Sequence, residues 1–124
     1  MATLTPTLTL TSTNAHSDNL NISVTDSLSV TNPVELAKTT IATGGGTELI
    51  AGSAAAQAAA TYIYVKNTDG SNYIDLKKAD GTGYARLHAG EIGFFCIQPE
   101  IGLLAAANTA ACVLEWENGV NQHR

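Results

Sequence analysis

Nucleophilic catalysis needs a nucleophile, a base and an oxyanion site brought together in space. Serine and threonine are plentiful in this chain of 124 residues, yet none sits in a Gly-x-Ser-x-Gly elbow. His88 is the candidate general base of the second half; with no motif around it, it reads instead as a surface residue at a strand end. His16, His88 and His123 offer no pair spaced two or four apart, which a histidine-held metal on a β scaffold would need. Asp69, Asp75 and Asp80 invite comparison with a calcium loop, but Asp69–Asp75 lacks the ligand order and glycine position of an EF-hand. These acids read as solvated hairpin residues. Gly44-Gly45-Gly46-Thr47 lacks the lysine and spacing of a phosphate loop and reads as a turn. Asn21-Ile22-Ser23 fits the glycosylation pattern only formally, since no secretory signal precedes it. No catalytic residue, cofactor site or metal site is therefore expected, and the chain reads as not an enzyme.

Cys96 and Cys112 both lie in apolar, strand-like segments, and reduced, buried and inert is the preferred expectation for each, with a cross-strand disulfide in an oxidising medium as the alternative. Tyr62 and Tyr64 share one strand face, with Ile63 and Val65 on the other. An exposed tyrosine pair could stack on sugar rings or anchor a subunit contact; a covered pair would be core. A two-layer sandwich buries only one face of such a strand, so a subunit contact or a covering segment is preferred to sugar.

The elements that would carry these residues are strands. Leu4, Leu8 and Leu10 alternate with Thr3, Thr5, Thr7, Thr9 and Thr11. Leu20, Ile22, Val24, Leu28 and Val30 alternate with polar residues in the same way, and Asp26 interrupts the apolar face as a bend or bulge would. Further strands are predicted over Val34–Thr43, Thr47–Ala51, Tyr62–Asn67, Asn72–Lys78, Tyr84–His88, Ile92–Gln98 and Ile101–Ala107, with a last one over Ala110–Glu117 that puts Ala110, Cys112, Leu114 and Trp116 on one face. Asp69-Gly70 and Asp80-Gly81 read as hairpin turns, and the alanine-rich stretch 51–60 as a loop. The fold expectation is all-β: an antiparallel β-sandwich, jelly-roll-like, of about eight short strands, with an open barrel as competitor. One domain spans 1–118, followed by a loose tail over 119–124. Residues 1–14 read either as the first strand of their own sheet, which is preferred, or as an N-terminal arm adding a strand to a neighbour.

Charged residues make up only 14% of the chain, against about 25% in an ordinary domain. A neutral surface of small polar side chains costs little to desolvate and suits protein contacts. The net charge of −5 with six scattered basic residues argues against direct nucleic-acid binding. No apolar run approaches the ~20 residues of a membrane-spanning helix, so no membrane partner is expected, and with no basic stretch followed by an apolar one at Met1–Pro6 the chain is expected to be made in a cytoplasm.

Tyr62-Ile63-Tyr64-Val65-Lys66-Asn67-Thr68-Asp69, then Ile74-Asp75-Leu76 and Leu87-His88-Ala89-Gly90-Glu91-Ile92-Gly93-Phe94-Phe95, resemble a loose group of small bacteriophage virion structural proteins. Thr109–Glu115 fits the alanine-rich final hairpin of that group, which includes capsid decoration (cement) proteins. The resemblance covers roughly the second half and is one of strands and turns, not of a catalytic signature. It implies a virion protein on the capsid surface that binds the major capsid protein and copies of itself, as a trimer or dimer. Leu4, Leu8, Leu10, Tyr62 and Tyr64 are the candidate subunit or capsid contacts. A tail, neck or fibre component is the nearest alternative, and a carbohydrate-binding, adhesin-like module an alternative of another class.

Overall fold

The computed structural model describes residues 2–14, 19–30, 36–50 and 62–119. Val34, the alanine-rich stretch 51–60, His16, His123 and residues 120–124 lie outside the described residues. Among the described residues twelve strands form: β1 (Ala2–Leu4), β2 (Thr7–Ser12), β3 (Leu20–Thr25), β4 (Leu28–Val30), β5 (Ala37–Ile41), β6 (Thr47–Ile50), β7 (Tyr62–Asn67), β8 (Ile74–Lys77), β9 (Gly83–Leu87), β10 (Ile92–Cys96), β11 (Leu103–Ala107) and β12 (Cys112–Gly119).

Eight of these build two four-stranded antiparallel sheets, ordered β10-β7-β12-β5 and β6-β11-β8-β9. The pairing is nested: β5 with β12, β6 with β11, β7 with β10, and β8 with β9. One long antiparallel hairpin, folded over on itself, produces that order. Among these eight, only β8 and β9 are both sequential and paired. Gly81 in their turn has φ +94°, a conformation that suits glycine. Asp69-Gly70, expected to be a hairpin turn, instead lies on a crossing between the two sheets, because β7 and β8 belong to different ones. A turn signal shows where the chain reverses, not which strand it will pair with.

Period-two alternation decides the core. Ile63, Val65, Cys112, Leu114 and Ile41 point from the first sheet onto Ile74, Leu76, Leu87, Leu103 and Ala105 of the second, forming one continuous cluster. Asn67 is the polar residue buried among them. Its amide donates to the carbonyls of Asn72 (2.9 Å) and Leu87 (3.0 Å) and accepts from the Asp69 N–H (3.0 Å). Full satisfaction makes the burial tolerable and ties β7 to both neighbouring turns.

The remaining four strands lie outside both sheets. β1 pairs with β4 and β2 with β3, so residues 2–12 and 20–30 form one long two-stranded ribbon broken at Pro6 and Asp26, where the Asp26 N–H bonds the Pro6 carbonyl at 3.0 Å. The Asp26 interruption thus marks a bend. The first segment is not a strand of a sandwich sheet: it pairs within its own chain, but with the second segment, in a separate two-stranded projection. Gly119, expected to open the tail, belongs instead to β12, where Asn118 and Gly119 lie opposite Ile63 and Tyr62. Gly119 is needed there, since a Cβ would lie 2.5 Å from the Tyr62 hydroxyl.

Candidate interaction surface

The outer face of the first sheet begins with the tyrosines. Tyr62, Tyr64 and Lys66 point away from the core, opposite Cys96, Phe94 and Ile92 on β10 and Gly119, Glu117 and Glu115 on β12. A covering element does exist. Leu4, Leu28 and Val30, at the base of the ribbon, close over Tyr62, leaving it 1% exposed. Tyr62 donates to Glu117 (3.0 Å) and its ring stacks on Phe94 with centroids 5.9 Å apart. Tyr64, half-buried, donates to Glu115 at 2.8 Å. Burial foremost, and then the Glu117 carboxylate, pushes the Tyr62 hydroxyl up to about 12; burial and Glu115 raise Tyr64 in the same direction.

Of the five residues expected at a contact surface, Leu4 and Tyr62 pack against each other inside the chain, and Tyr64 lies between buried and open. Leu8 and Leu10 are exposed, and they have company. Leu8 sits opposite Val24 and Leu10 opposite Ile22, so four apolar side chains share one ribbon face, each 39–55% exposed. Beyond them, Ile92 (66% exposed) and Phe94 (41%) stand on β10. Between ribbon and sheet runs a cleft of about 370 Å³ whose walls include Pro6, Leu8, Val24, Tyr64, Ile92 and Phe94; among the described residues its one charged lining residue is Asp26. An exposed apolar surface of this kind is a candidate interaction site.

Sequence reasoning missed the β10 half of this surface. Ile92, Phe94, Phe95, Cys96 and Ile97 read as one core run, yet only Phe95 and Ile97 pack against the core. Cys96 is consequently exposed, a correction to its expected burial, while Cys112 is buried and both are free thiols. The available signal was the unbroken apolar run itself, since a strand with one buried face needs apolar residues only at alternate positions.

Elsewhere the titratable groups staple turns. Asp69 accepts from the N–H groups of Asn72 (2.6 Å) and Ser71 (2.9 Å), which hold its carboxyl below the usual range. Asp80 accepts from the Thr82 N–H (2.9 Å) and Glu91 from the His88 N–H (2.7 Å), with the same downward effect. His88 is exposed, 3.2 Å from Glu91. Asp75 binds Arg86 across β8 and β9 at 2.6 Å, and the guanidinium lies 3.8 Å over the Tyr73 ring. The three aspartates once compared with a calcium loop thus serve three separate turns or pairs, and among the described residues no group of three metal-ligating side chains converges. Burial, and then Asp69, pushes the Cys112 thiol up, away from a reactive thiolate. Among the described residues no helix is long and apolar enough to cross a membrane. Comparison with protein-family models, curated proteins and solved structures returned no match.

Proposed function

We propose that this chain is a non-enzymatic virion structural protein: a capsid decoration protein, built on a jelly roll, that sits outside a phage capsid lattice and stabilises it. The observation that carries the reading is the apolar ribbon set beside the apolar edge of β10, a surface that nothing in the described part of the chain covers. Such a surface fits a neighbouring protein, and the low charge of the whole chain keeps the desolvation cost of further contacts small. The nested strand pairing supports the jelly roll, and the strand-and-turn resemblance of the second half points to the virion. Its partners are then the major capsid protein and copies of itself. A protein that binds only the assembled shell raises the stability of that shell by mass action, which opposes the pressure of packed DNA.

The test is sedimentation of the purified chain with expanded and with unexpanded shells assembled from the major capsid protein of the same genome. Co-sedimentation with expanded shells, saturating at a fixed ratio to lattice sites, is expected. A chain that stays in the supernatant with both shells overturns the reading.

A further inference from the structure

Strands at the end of a sheet expose unpaired N–H and C=O groups, and folded proteins guard them with charges, prolines or bulges. The sandwich has four such ends, and three are guarded. β5 carries Lys38, β6 carries Glu48 and a register shift against β11, and β9 carries Arg86 and a register shift against β8. β10 has none of these. Ile92-Gly93-Phe94-Phe95-Cys96 contains no charge and no proline, and its ladder to β7 runs without a bulge. The ribbon is equally unguarded: β2 and β3 hold no charged residue and pair in unbroken register over six residues each. The two open elements of the molecule face each other across one cleft, yet they do not pair with each other.

We propose that the cleft and the β10 edge receive the N-terminal ribbon of a second copy of this chain. The incoming ribbon adds its free edge to β10 and lays Leu8, Leu10, Ile22 and Val24 against the same four residues of the host ribbon. Exchange is reciprocal, each copy giving one ribbon and receiving one. Charge does not bar a second copy as the occupant: each chain carries −5, but among the described residues of the cleft wall Asp26 is the one that is charged. Area favours reciprocity. A six-residue ribbon is roughly 20 Å by 10 Å, or ~200 Å² per face, well short of the ~800 Å² per partner of a standard interface. The two apolar ribbon faces cover each other and count once, so reciprocal exchange buries up to ~600 Å² per partner, nearer that size than a ribbon given one way. An isolated two-stranded ribbon is also marginal in water, which a reciprocal partner remedies.

This self-contact is separable from the shell contact, because it is measured without shells. The mass of the full chain is followed by sedimentation velocity from low to high micromolar concentration, alongside hydrogen exchange of the β10 amides. Expected is an oligomer in which the β10 amides directed away from β7 gain protection as it forms. Phe94→Lys and Leu10→Lys should each return the chain to monomer, whereas Val113→Lys, an exposed apolar position outside the cleft, should leave the mass unchanged. Circular dichroism of each variant checks the fold, and the wild-type exchange data keep the test open should a variant misfold. A wild-type monomer throughout the range, or an oligomer whose β10 amides exchange as fast as those of the monomer, overturns the proposal.

Discussion

The sandwich and the ribbon follow the same rule of alternation to opposite ends. In β12, Cys112 and Leu114 vanish into the core while Val113 stays exposed. In β2 and β3, the equally regular Leu8, Leu10, Ile22 and Val24 remain exposed along with their polar neighbours. Alternation therefore records which face is meant for burial, not whether the chain itself supplies the cover. In the sandwich the second sheet covers the first. On the ribbon, cover ends at Leu4, Leu28 and Val30, where Tyr62 meets the base.

The comparison breaks most easily in the sandwich. Leu114→Ala removes a fully buried side chain from the continuous core and should cost about 3–4 kcal/mol in urea unfolding. Next is Asn67→Leu, close in volume but unable to bond. It strands the carbonyls of Asn72 and Leu87 and the Asp69 N–H, for an expected loss of about 2–4 kcal/mol by the same measurement. A loss below ~1 kcal/mol for either would mean that the two sheets are far less closely packed than described.

Much of this architecture was legible in the residues. Parity along Tyr62–Asn67 and Cys112–Glu117 separates inward from outward side chains correctly, because a strand has only two faces. Asp26 was legible as a bend because it breaks an otherwise regular apolar face. Partner choice was not legible: Asp69-Gly70 looks the same in a hairpin and in a crossing between sheets, and only tertiary pairing separates them. Half of the interaction surface was legible through Leu8 and Leu10. The other half was hidden because Ile92–Ile97 is apolar on both parities, so nothing local says which side faces the core. Gly119 lay at the edge of a polar stretch, and its place in β12 comes from the room that the Tyr62 ring needs.

The junction between the two regions should be sensitive to alkali. The Tyr62 hydroxyl, at about 10 in an unfolded chain, is raised to about 12 in the folded one, so its neutral form is the one that folding favours. The stability tied to it is fully present below pH 10 and is lost as pH rises from 10 through 12. Urea midpoints taken between pH 9 and 11.5 should fall more steeply for the wild type than for Tyr62→Phe, which has no proton to lose there. Parallel slopes would show that the base of the ribbon does not enclose this ring.

The smallest expected effect on stability sits farthest out on the ribbon. Leu10→Thr swaps an exposed leucine for a residue at least as suited to a strand and leaves its cross-strand partner Ile22 in place. In a dilute solution of single chains the unfolding free energy should change by no more than about 0.5 kcal/mol. A cost near that of Leu114→Ala would mean that the leucine is covered within its own chain, and the contrast between the two regions would disappear. Concentration sharpens the same experiment. If a second copy covers this face, the wild-type melting midpoint climbs with protein concentration, because association stabilises only the folded chain. In Leu10→Thr that climb should shrink while the dilute midpoint stays put, which separates a residue kept for assembly from one kept for folding.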